Sequence, residues 1–271
     1  MERLDVQTSA KSGPPADYVP EASTVWSFPD RGAWSTHRSD YPGNWSPYIP
    51  RNLILEYTRP GDLVLDPMMG GGTTLIEAKI LGRHAIGIDV NPRTVSLAAE
   101  SLRQTTAADA RTSIKVHQGD ARDLRQIPDG VVDLVATHPP YANIIQYSNA
   151  KIPEDLSSKE IRAFLVDLAQ VARECFRVTA PGKHCAIMMG DTRQRGHYVP
   201  LTDMTLHKFL DAGFLLREDI VKLQWNVSSE RKRWTQRKYD FYKIAHERLF
   251  VFRKPVDAHD LERHGWSRGF G

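Results

Sequence analysis

Residues 63–74 read Leu63-Val64-Leu65-Asp66-Pro67-Met68-Met69-Gly70-Gly71-Gly72-Thr73-Thr74. A short apolar run ends in an acid, three glycines follow, and a helical pattern begins at Thr73. Glycines let the backbone approach a ligand closely, and the first turn of a helix offers unpaired N–H groups and the positive end of its dipole. The stretch therefore predicts a buried strand, a ligand-binding loop and a helix, with a place for a carboxylate or a phosphate.

A second acid, Asp89, closes the next predicted strand, which runs from His84 to Asp89. A carboxylate at that position can bind both hydroxyls of a ribose. A nicotinamide cofactor usually requires the pattern G-x-G-x-x-G, and the third glycine of that pattern is missing after Gly72. A glycine loop and a downstream acid by themselves leave a purely structural turn as the alternative.

Helical and strand patterns alternate from residue 51 onward, as a parallel sheet with crossover helices requires. The predicted strands cover residues 63–66, 84–89, 114–118, 131–137, 184–189, 214–224 and 248–252, and the predicted helices cover 51–57, 73–81, 92–104, 158–176 and 202–210. A turn is predicted at Pro181-Gly182. The pattern indicates one α/β domain with a wound, seven-stranded sheet and no internal repeat.

The composition is that of a folded protein, since the 271 residues are 41% hydrophobic and 25% charged. There is no run of about 18 apolar residues that would predict a membrane span, and the polar start lacks the apolar stretch of a secretory signal. Cys175 and Cys185 are too few for a disulfide framework or a structural zinc site, so we expect buried thiols, no metal and a reducing, cytoplasmic setting. We expect a loose arm over residues 1–24, one folded domain over 25–255 and a tail over 256–271.

Aromatic residues are concentrated between Val25 and Tyr48. They are Trp26, Phe28, Trp34, Tyr41, Trp45 and Tyr48, interleaved with basic side chains. So many aromatic side chains in a short stretch will not stay fully solvated. They cap the core of the following domain, or form part of a surface on which bases stack, or do both.

The fourth predicted strand leads into His138-Pro139-Pro140-Tyr141. Two prolines keep the chain extended and leave carbonyl groups without competing local N–H donors. This tetrapeptide therefore predicts a rigid edge rich in hydrogen-bond acceptors. The ring of Tyr141 follows at once, where it can stack on a planar group.

The two motifs together resemble those of the aminomethyltransferase family of DNA methyltransferases. The cofactor motif of that family reads D-P-F-x-G-x-G-T-T, from which residues 66–74 depart only by Met68 in place of phenylalanine, and its catalytic motif reads [D/N/S]-P-P-[Y/F]. Residues 44–54 are similar, more loosely, to the segment that precedes the cofactor motif, and residues 245–255 resemble the last strand of the family. The resemblance covers about residues 26–255, with the motif order of one permuted subgroup.

The resemblance implies a Rossmann-like methyltransferase sheet, mostly parallel with an antiparallel last strand, and S-adenosylmethionine as the cofactor. It implies that Gly70 and Gly72 approach the methionine part of the cofactor and that Asp66 holds its amino group. It also implies that Asp89 binds the ribose and that Asp120 faces the adenine. The cofactor-binding residues implied by the resemblance are Asn44, Asp66, Pro67, Met68, Gly70, Gly72, Thr73, Thr74, Asp89 and Asp120.

The resemblance further implies that His138, Pro139, Pro140 and Tyr141 are the catalytic residues. An exocyclic base amino group is a poor nucleophile, because its lone pair is delocalised into the ring, and acceptors aimed at its hydrogens favour a pyramidal nitrogen. His138 and the Pro139 carbonyl would accept from that amino group while Tyr141 stacks on a base flipped from the helix.

The histidine at position 138 departs from the family pattern. A neutral imidazole accepts one hydrogen bond but brings no negative charge. We therefore expect activity to fall as the pH drops through the ordinary histidine pKa of about 6.5. The alternative is that His138 only fills a turn beside a degenerate site.

Positive charge is concentrated between Lys222 and Lys254, where ten Lys and Arg stand against three acids, an excess of +7 compared with +3 for the whole chain. Cations suit phosphates, while amides and Arg suit base edges. We expect a nucleic-acid-binding surface formed by Gln224, Trp225, Asn226, Arg231, Lys232, Arg233, Trp234, Arg237 and Lys238. A solvated charged face is the alternative.

These features predict methyl transfer from S-adenosylmethionine to the exocyclic amino group of a base in DNA. The 4-amino group of cytosine is slightly favoured over the 6-amino group of adenine, because the catalytic motif lacks an initial Asp. Methylation of an RNA base is the nearest alternative, and a non-catalytic nucleic-acid-binding relative is another. We expect DNA, or else RNA, as the partner and no membrane association, and a homodimer is left open.

Overall fold

The computed structural model describes residues 13, 18–37, 43–141, 152–225 and 240–268. Its strands are β1 (Val25–Ser27), β2 (Leu63–Asp66), β3 (His84–Asp89), β4 (Ile114–Gln118), β5 (Val132–Thr137), β6 (Thr179–Met189), β7 (Thr192–Gln194), β8 (His197–Val199), β9 (Leu215–Leu223) and β10 (His246–Arg253). Its α-helices are α1 (Tyr48–Tyr57), α2 (Thr73–Ile80), α3 (Pro92–Gln104), α4 (Ile161–Val178), α5 (Leu201–Asp211) and α6 (Ala258–Arg263), and 3-10 turns cover Leu156–Ser158 and Gly265–Arg268.

One sheet contains eight strands in the order β1-β9-β10-β6-β5-β2-β3-β4, and β7 pairs with β8 in a separate hairpin. Strand β10 runs antiparallel to both β6 and β9, whereas all other neighbours in the eight-stranded sheet are parallel. The predicted α/β fold, mostly parallel with an antiparallel last strand, is confirmed. All seven predicted strands are present. The eighth, β1, was missed because three residues are too few to show the period of a strand.

The sheet separates two apolar cores, because successive side chains of a strand face opposite sides. In β2, Leu65 belongs to the core that contains Phe164 of α4 and Phe209 of α5. Val64, one residue earlier, belongs to the other core, with residues of α1, α2 and α3 such as Leu75. Helices therefore cover both faces, as a parallel sheet requires.

Helix α4 begins later than predicted. Asp155 caps the preceding 3-10 turn by accepting the Ser157 backbone N–H at 2.8 Å, and the α-helix follows from Ile161. The buried positions of α4 recur every three or four residues and are Phe164, Leu168, Val171, Ala172, Cys175 and Val178. This spacing is that of a helix with one apolar face. Both cysteines are buried, as expected.

The turn predicted at Pro181-Gly182 lies within β6. Gly182 has a φ of +78°, which favours glycine. The pairing of β6 with β5 changes register there, because Val132 is opposite Thr179 whereas Leu134 is opposite His184. The bend is thus an irregularity of a longer strand rather than its beginning.

The aromatic segment packs largely into the core. Trp26, Trp34 and Trp45 are buried, and Phe28 stacks on Tyr48 with ring centroids 5.1 Å apart. This placement agrees with the core-capping interpretation. Tyr41 lies outside the described residues.

Both ends of the described chain contact the domain. Tyr18, within the predicted arm, stacks on Tyr48 with ring centroids 5.6 Å apart. Asp260 of α6, within the predicted tail, forms an ion pair with Arg253 of β10 at 2.7 Å. Across the described ranges, no helix has the length and apolar character needed to cross a membrane.

Glu77 of α2 is fully buried and joins the aromatic segment to the helix that follows the glycine loop. Trp34 Nε1 donates to its carboxylate at 2.7 Å, and Arg51 of α1 donates at 2.8 Å. His37 Nε2 lies 2.7 Å from the same carboxylate. One carboxylate therefore connects α1, α2 and the aromatic segment.

Replacing Glu77 with Ala would leave the Arg51 charge buried without this carboxylate. Removing one partner of a buried ion pair typically costs about 3–5 kcal/mol, so we expect the free energy of unfolding to fall by about that amount. Urea unfolding followed by circular dichroism measures it. Glu100→Ala, at an exposed glutamate of α3, is the control and should change the stability by less than about 0.5 kcal/mol. A loss below about 1 kcal/mol for Glu77→Ala would contradict this role.

Candidate active site

A cleft that encloses about 760 Å³, part of it open to solvent, lies at the carboxyl ends of β2, β3 and β5. Ligands of open α/β sheets usually bind at this edge. Eight of the predicted residues line the cleft: Asn44, Asp66, Pro67, Met68, Gly70, Asp89, His138 and Pro140. The structure thus brings the two sequence motifs to one cavity.

Six of the predicted cofactor-binding and catalytic residues do not line the cleft. They are Gly72, Thr73, Thr74, Asp120, Pro139 and Tyr141. Gly72 has a φ of +81° immediately before α2, so it shapes the loop, and a Cβ there would lie 3.1 Å from the Ala98 Cβ. Thr73, Thr74 and Pro139 are buried, and the Thr74 hydroxyl donates to Asp66, which lines the cleft.

Asp66 is buried at the end of β2 and accepts three hydrogen bonds. The donors are the Thr74 hydroxyl at 2.6 Å, the Thr137 hydroxyl at 2.8 Å and the Met68 backbone N–H at 3.2 Å. Burial raises the pKa of Asp66 to about 6, although the three hydrogen bonds favour the ionised form. The side chain is therefore fixed in orientation while its charge remains costly.

Asp89 occupies the corresponding position at the end of β3. The Gly70 backbone N–H donates to one carboxylate oxygen at 3.1 Å, and the Asn91 backbone N–H donates to the other at 2.9 Å. Burial also raises the pKa of Asp89 to about 6. The bond from Gly70 links the glycine loop to the neighbouring strand.

The two carboxylates lack a compensating cation among the described residues, since no cation contributes to either pKa shift. A shift of about two units means that each ionised carboxylate destabilises the folded protein by about 3 kcal/mol at neutral pH. S-adenosylmethionine carries an ammonium group, a sulfonium and ribose hydroxyls, so its chemistry fits these groups. Within the described ranges, no cluster of side chains suited to a metal ion occurs.

Asn44 connects the segment before α1 to the glycine loop. Its side-chain oxygen accepts the Gly71 backbone N–H at 3.2 Å. A Cβ at Gly71 would lie 2.6 Å from the Asn44 side-chain nitrogen, so a larger residue there would displace the Asn44 amide. The middle glycine of the loop thus packs against Asn44.

Asp120 lies beside the cleft but is not among the residues that line it. Its carboxylate accepts hydrogen bonds from the Arg122 backbone N–H at 2.9 Å and from the Arg122 guanidinium, the shortest at 2.6 Å, and Arg122 also pairs with Asp167 at 3.0 Å. Ala121, the next residue, lines the cleft instead. The Arg122 guanidinium is therefore bound to the Asp120 carboxylate, which was expected to face the adenine.

Tyr141 is held at its hydroxyl. This hydroxyl donates to Glu247 at 2.7 Å and lies 2.6 Å from His138 Nε2. Lys222 Nζ donates to the other oxygen of Glu247 at 2.9 Å. The ring lies over Gly190, where a Cβ would be 2.6 Å from it.

His138 stacks on Trp45 with ring centroids 5.8 Å apart and an angle of 19° between the rings. Burial lowers the pKa of His138 to about 4, while the charge of Glu247 and the nearby Gly43 backbone act in the opposite direction. Desolvation disfavours the imidazolium. We therefore no longer expect the titration of His138 to cause a loss of activity near pH 6.5, and we expect it near pH 4 instead.

Several basic side chains between Lys222 and Lys254 are already paired within the protein, so fewer of them are free to bind a nucleic acid than the composition suggests. Arg248 pairs with Asp219 and Asp203, Arg253 pairs with Asp260, and Lys254 donates to three backbone carbonyls. Gln224 continues the sheet through a backbone bond to Ala245, and Trp225 is 48% exposed. The other predicted nucleic-acid-binding residues, Asn226, Arg231, Lys232, Arg233, Trp234, Arg237 and Lys238, lie outside the described residues.

Eight residues that line the cleft were not predicted from sequence as functional: Gly43, Trp45, Met69, Val90, Asn91, Ala121, Asp155 and Leu156. Lys222 and Glu247 reach it through Tyr141. Trp45 was noted as part of the aromatic segment and of residues 44–54, but not as a site residue. Lys222 and Glu247 were counted only as charges, because no local pattern relates them to residue 141.

The fold is that of known methyltransferases. A SAM-dependent methyltransferase from Methanosarcina mazei superimposes with a TM-score of 0.53, at 14% identity, over 76% of this chain and 98% of that one. The agreement concerns the fold alone at this level of identity.

Curated relatives match shorter stretches. A tRNA (guanine(10)-N2)-dimethyltransferase of Methanothermobacter thermautotrophicus is 36% identical over 126 residues, which are 46% of this chain and 34% of that protein. The Type II methyltransferase M.SmaI of Serratia marcescens is 37% identical over 76 residues, 27% of this chain and 26% of that protein. These matches thus cover about a third or less of the relatives' own lengths.

Family models cover more of the chain. The RMKL-like methyltransferase domain matches residues 53–186. The DNA methylase model for N6 and N4 methyltransferases matches residues 3–100 and 132–266. S-adenosylmethionine is the cofactor that this family and this fold imply, and the buried carboxylates of the cleft suit it. Since the match spans most of the sequence and includes both motifs, the chain belongs to the N6/N4 DNA methylase family.

Proposed function

We propose that this protein transfers a methyl group from S-adenosylmethionine to the exocyclic amino group of a base in DNA. The observation that carries the proposal is the meeting, in one cleft, of two uncompensated carboxylates, Asp66 and Asp89, with the edge formed by His138 and Pro140. The extent of the DNA methylase match supports DNA as the polymer. We favour N4 of cytosine slightly over N6 of adenine, because the catalytic motif begins with histidine and not with aspartate.

Each group of the cleft has a defined task in this proposal. The bound cofactor supplies a methyl group activated by a positively charged sulfur. Asp66 binds the ammonium group, Asp89 binds the ribose hydroxyls, and the glycine loop lies against the methionine part. His138 and the Pro139 carbonyl accept hydrogen bonds from the base amino group, and Tyr141 is the candidate for stacking on the flipped base.

We assign the contacts with the nucleic acid to residues 224–238. The cations of the described tail that pair with acids are occupied within the fold, which leaves Arg231 to Lys238 as the candidates for binding phosphates. Trp225, which is 48% exposed just after the end of β9, is a candidate for base stacking. That the protein forms a homodimer stays a prediction, and analytical ultracentrifugation would test it.

Methylation of an RNA base is the second candidate. It is favoured by the 126-residue similarity to a tRNA (guanine(10)-N2)-dimethyltransferase. The N2 group of guanine is also an exocyclic amino group, so the same acceptors serve it. The edge of the cleft by itself suits either polymer.

The experiment that separates these functions is incubation of the protein with labelled S-adenosylmethionine and either duplex DNA or total RNA, followed by nucleoside analysis. N4-methylcytosine in DNA is the expected product, and N6-methyladenine would correct the base but not the polymer. Label only in RNA would favour the second candidate. Binding of the cofactor and of DNA without any transfer would leave a non-catalytic relative.

The raised pKa values of Asp66 and Asp89, about 6 for each, predict how cofactor binding depends on pH. A cationic ligand needs the ionised carboxylates, and at pH 5 a group with this pKa is only about 10% ionised. We expect the Kd for S-adenosylmethionine to rise about tenfold for each titrating carboxylate between pH 7.5 and pH 5, measured by calorimetry.

A charge change elsewhere serves as the control for that measurement. Asp109→Asn removes an exposed carboxylate that pairs with Arg111 outside the cleft, and it should keep the wild-type pH dependence. Asp89→Asn should bind the cofactor more weakly at pH 7.5 and vary less with pH. A wild-type Kd that stays constant from pH 7.5 to pH 5 would contradict the assignment of these carboxylates.

Substitutions at His138 test its role as a neutral acceptor. His138→Ala removes the acceptor, and loss of one such group typically lowers kcat about 100-fold or more. His138→Asn keeps a neutral acceptor, so we expect its kcat to stay within about tenfold of the wild type. The Kd for the cofactor should be unchanged in both. Full activity of His138→Ala in single-turnover kinetics would show that the histidine only fills a turn.

A further inference from the structure

The β7–β8 hairpin projects from the edge of the sheet that carries the cleft. It lies between the end of β6 and the start of α5, and β6 ends at this edge because it is parallel to β5. The ring of Tyr141, in the catalytic motif, lies over Gly190, and the hairpin begins two residues later at Thr192. Each of its strands has three residues, a length of about 10 Å. The hairpin is therefore a short projection beside the catalytic motif.

The base of the hairpin is fixed by contacts with the rest of the fold. Asp191 accepts hydrogen bonds from the Tyr198 hydroxyl and, at 2.8 Å, from the Thr202 backbone N–H at the start of α5. The Arg193 guanidinium lies over two rings, 5.5 Å from the centre of Tyr198 and 4.4 Å from the centre of Phe241. Such contacts between a cation and aromatic rings are attractive. The hairpin therefore presents its tip in a defined position.

The tip of the hairpin is polar, cationic and exposed. Gln194 is opposite His197, and Arg195 and Gly196 form the two-residue turn between them. The side chains of Gln194, Arg195 and His197 are exposed and make no hydrogen bond or ion pair with the described residues. Residues 192–199 contain two arginines and no acid. Unlike the paired cations of β10, the charge of Arg195 is therefore free to meet a polyanion.

Arg195 has a backbone conformation that does not suit an arginine. Its φ is +50° and that of Gly196 is +83°, so both central residues of the turn are left-handed. Asparagine, aspartate or glycine is the usual first residue of such a turn, because a larger side chain is strained there. Arginine at this position therefore does not serve the stability of the hairpin. A contact of its guanidinium with a ligand outside the protein accounts for its presence.

The shape of the hairpin matches the major groove of DNA. This groove is wide enough in B-form DNA to admit a two-stranded β-ribbon, whereas the major groove of an RNA helix is too narrow for side chains to read. Arginine pairs with O6 and N7 of guanine, and glutamine pairs with N6 and N7 of adenine. Gln194 and Arg195, next to each other at an exposed tip, therefore suit base edges in duplex DNA.

The segment proposed to bind phosphates leaves the sheet at the same edge. Strand β10 is antiparallel to both β6 and β9, so β9 ends where β6 ends, and residues 224–238 follow directly. Arg193 of the hairpin donates to the Tyr242 backbone carbonyl at 2.9 Å. Tyr242, in the stretch that leads back to β10, is 92% exposed. The hairpin is thus tied to the chain that follows the proposed phosphate-binding segment.

We propose that the β7–β8 hairpin enters the major groove of duplex DNA beside the target base, and that Gln194 and Arg195 read base edges there. This inference rests on the proposed function, because it places a sequence-reading element next to the site of base methylation. It gives the two basic regions different tasks. Residues 224–238 bind phosphates, and the hairpin tip selects the sequence.

The first test recovers the duplexes that the full chain binds from a pool of short DNA duplexes of randomised sequence, and it does not depend on activity. We expect the wild type to recover a preferred sequence. Arg195→Ala and Gln194→Ala should each lose about tenfold of the preference at one position, since one good pair with a base edge discriminates by about that factor or more. Arg217→Ala, at an exposed arginine near the start of β9 and so at the opposite edge, should recover the wild-type sequence.

Two results of this selection overturn the proposal. One is a preference that is unchanged in both tip variants. The other is a wild type that recovers no preferred duplex, or that releases the duplexes when structured RNA is added as a competitor.

The second test separates the reading of bases from the binding of phosphates and from folding. On the preferred duplex, the salt dependence of the Kd for Arg195→Ala should match that of the wild type, measured by fluorescence anisotropy. A slope of log K against log salt that falls by about 1 assigns Arg195 to a phosphate and overturns its role in reading bases. Arg195→Gly suits the left-handed backbone, so it should melt at or above the wild-type temperature and still lose the preference. A preference that Arg195→Gly keeps in full also overturns the proposal.

Binding and methylation together separate this inference from the proposed function. If the tip variants change the recovered sequence while no base is methylated, the proposed function fails and the role of the hairpin stands. If DNA is methylated and the tip variants methylate the same sequences as the wild type at the same rate, the role of the hairpin fails and the proposed function stands.

Discussion

The hydrogen bonds to Asp66 are the contacts on which the site depends. They join the end of β2 to α2 through Thr74, to β5 through Thr137 and to the loop through Met68. The glycine loop and the strand that leads into His138 are therefore positioned by one carboxylate. Because β2 and β5 are parallel neighbours, their carboxyl ends meet at the same edge, and both motifs reach one cleft.

Asp66 and its neighbour Asp89 carry negative charge that no side chain of the described residues compensates. Asp66 is buried and Asp89 is half-buried, no cation contributes to the pKa of either carboxylate, and desolvation raises the pKa of both. A purely structural site would place a lysine or an arginine there, as the fold does for Glu77 with Arg51. In the proposed function, the positively charged cofactor compensates this charge.

The catalytic edge is joined to the rest of the sheet by a different set of contacts. Tyr141 reaches Glu247 of β10, and Glu247 reaches Lys222 of β9. Strand β10 is the antiparallel strand of the sheet, so its first residues lie at the edge where the parallel strands end. The antiparallel direction of this strand is what brings a carboxylate to the catalytic motif. Lys222, which the composition assigned to a basic surface, is paired with Glu247 in this contact.

Much of the fold could be predicted from local patterns. The strand ending at Asp66, the helix beginning at Thr73 and the bend at Gly182 each have causes within a few residues, and each lies where it was expected or close to it. Strand β1 was missed because its pairing with β9 leaves no signature in three residues. The pairing of Asp120 with Arg122, two residues later, was not predicted, and the role of Asp120 toward the adenine stays a prediction.

The amino-acid sequence by itself determined the order of the elements, the glycine loop and the proline edge, since these depend on side-chain period, on glycine and on proline within short stretches. Only the tertiary structure decided the charge state of His138, the surroundings of Asp66 and the contact of Tyr141 with Glu247. Burial and hydrogen bonds between residues 106 positions apart are set by how the strands pair, and no local pattern records that pairing.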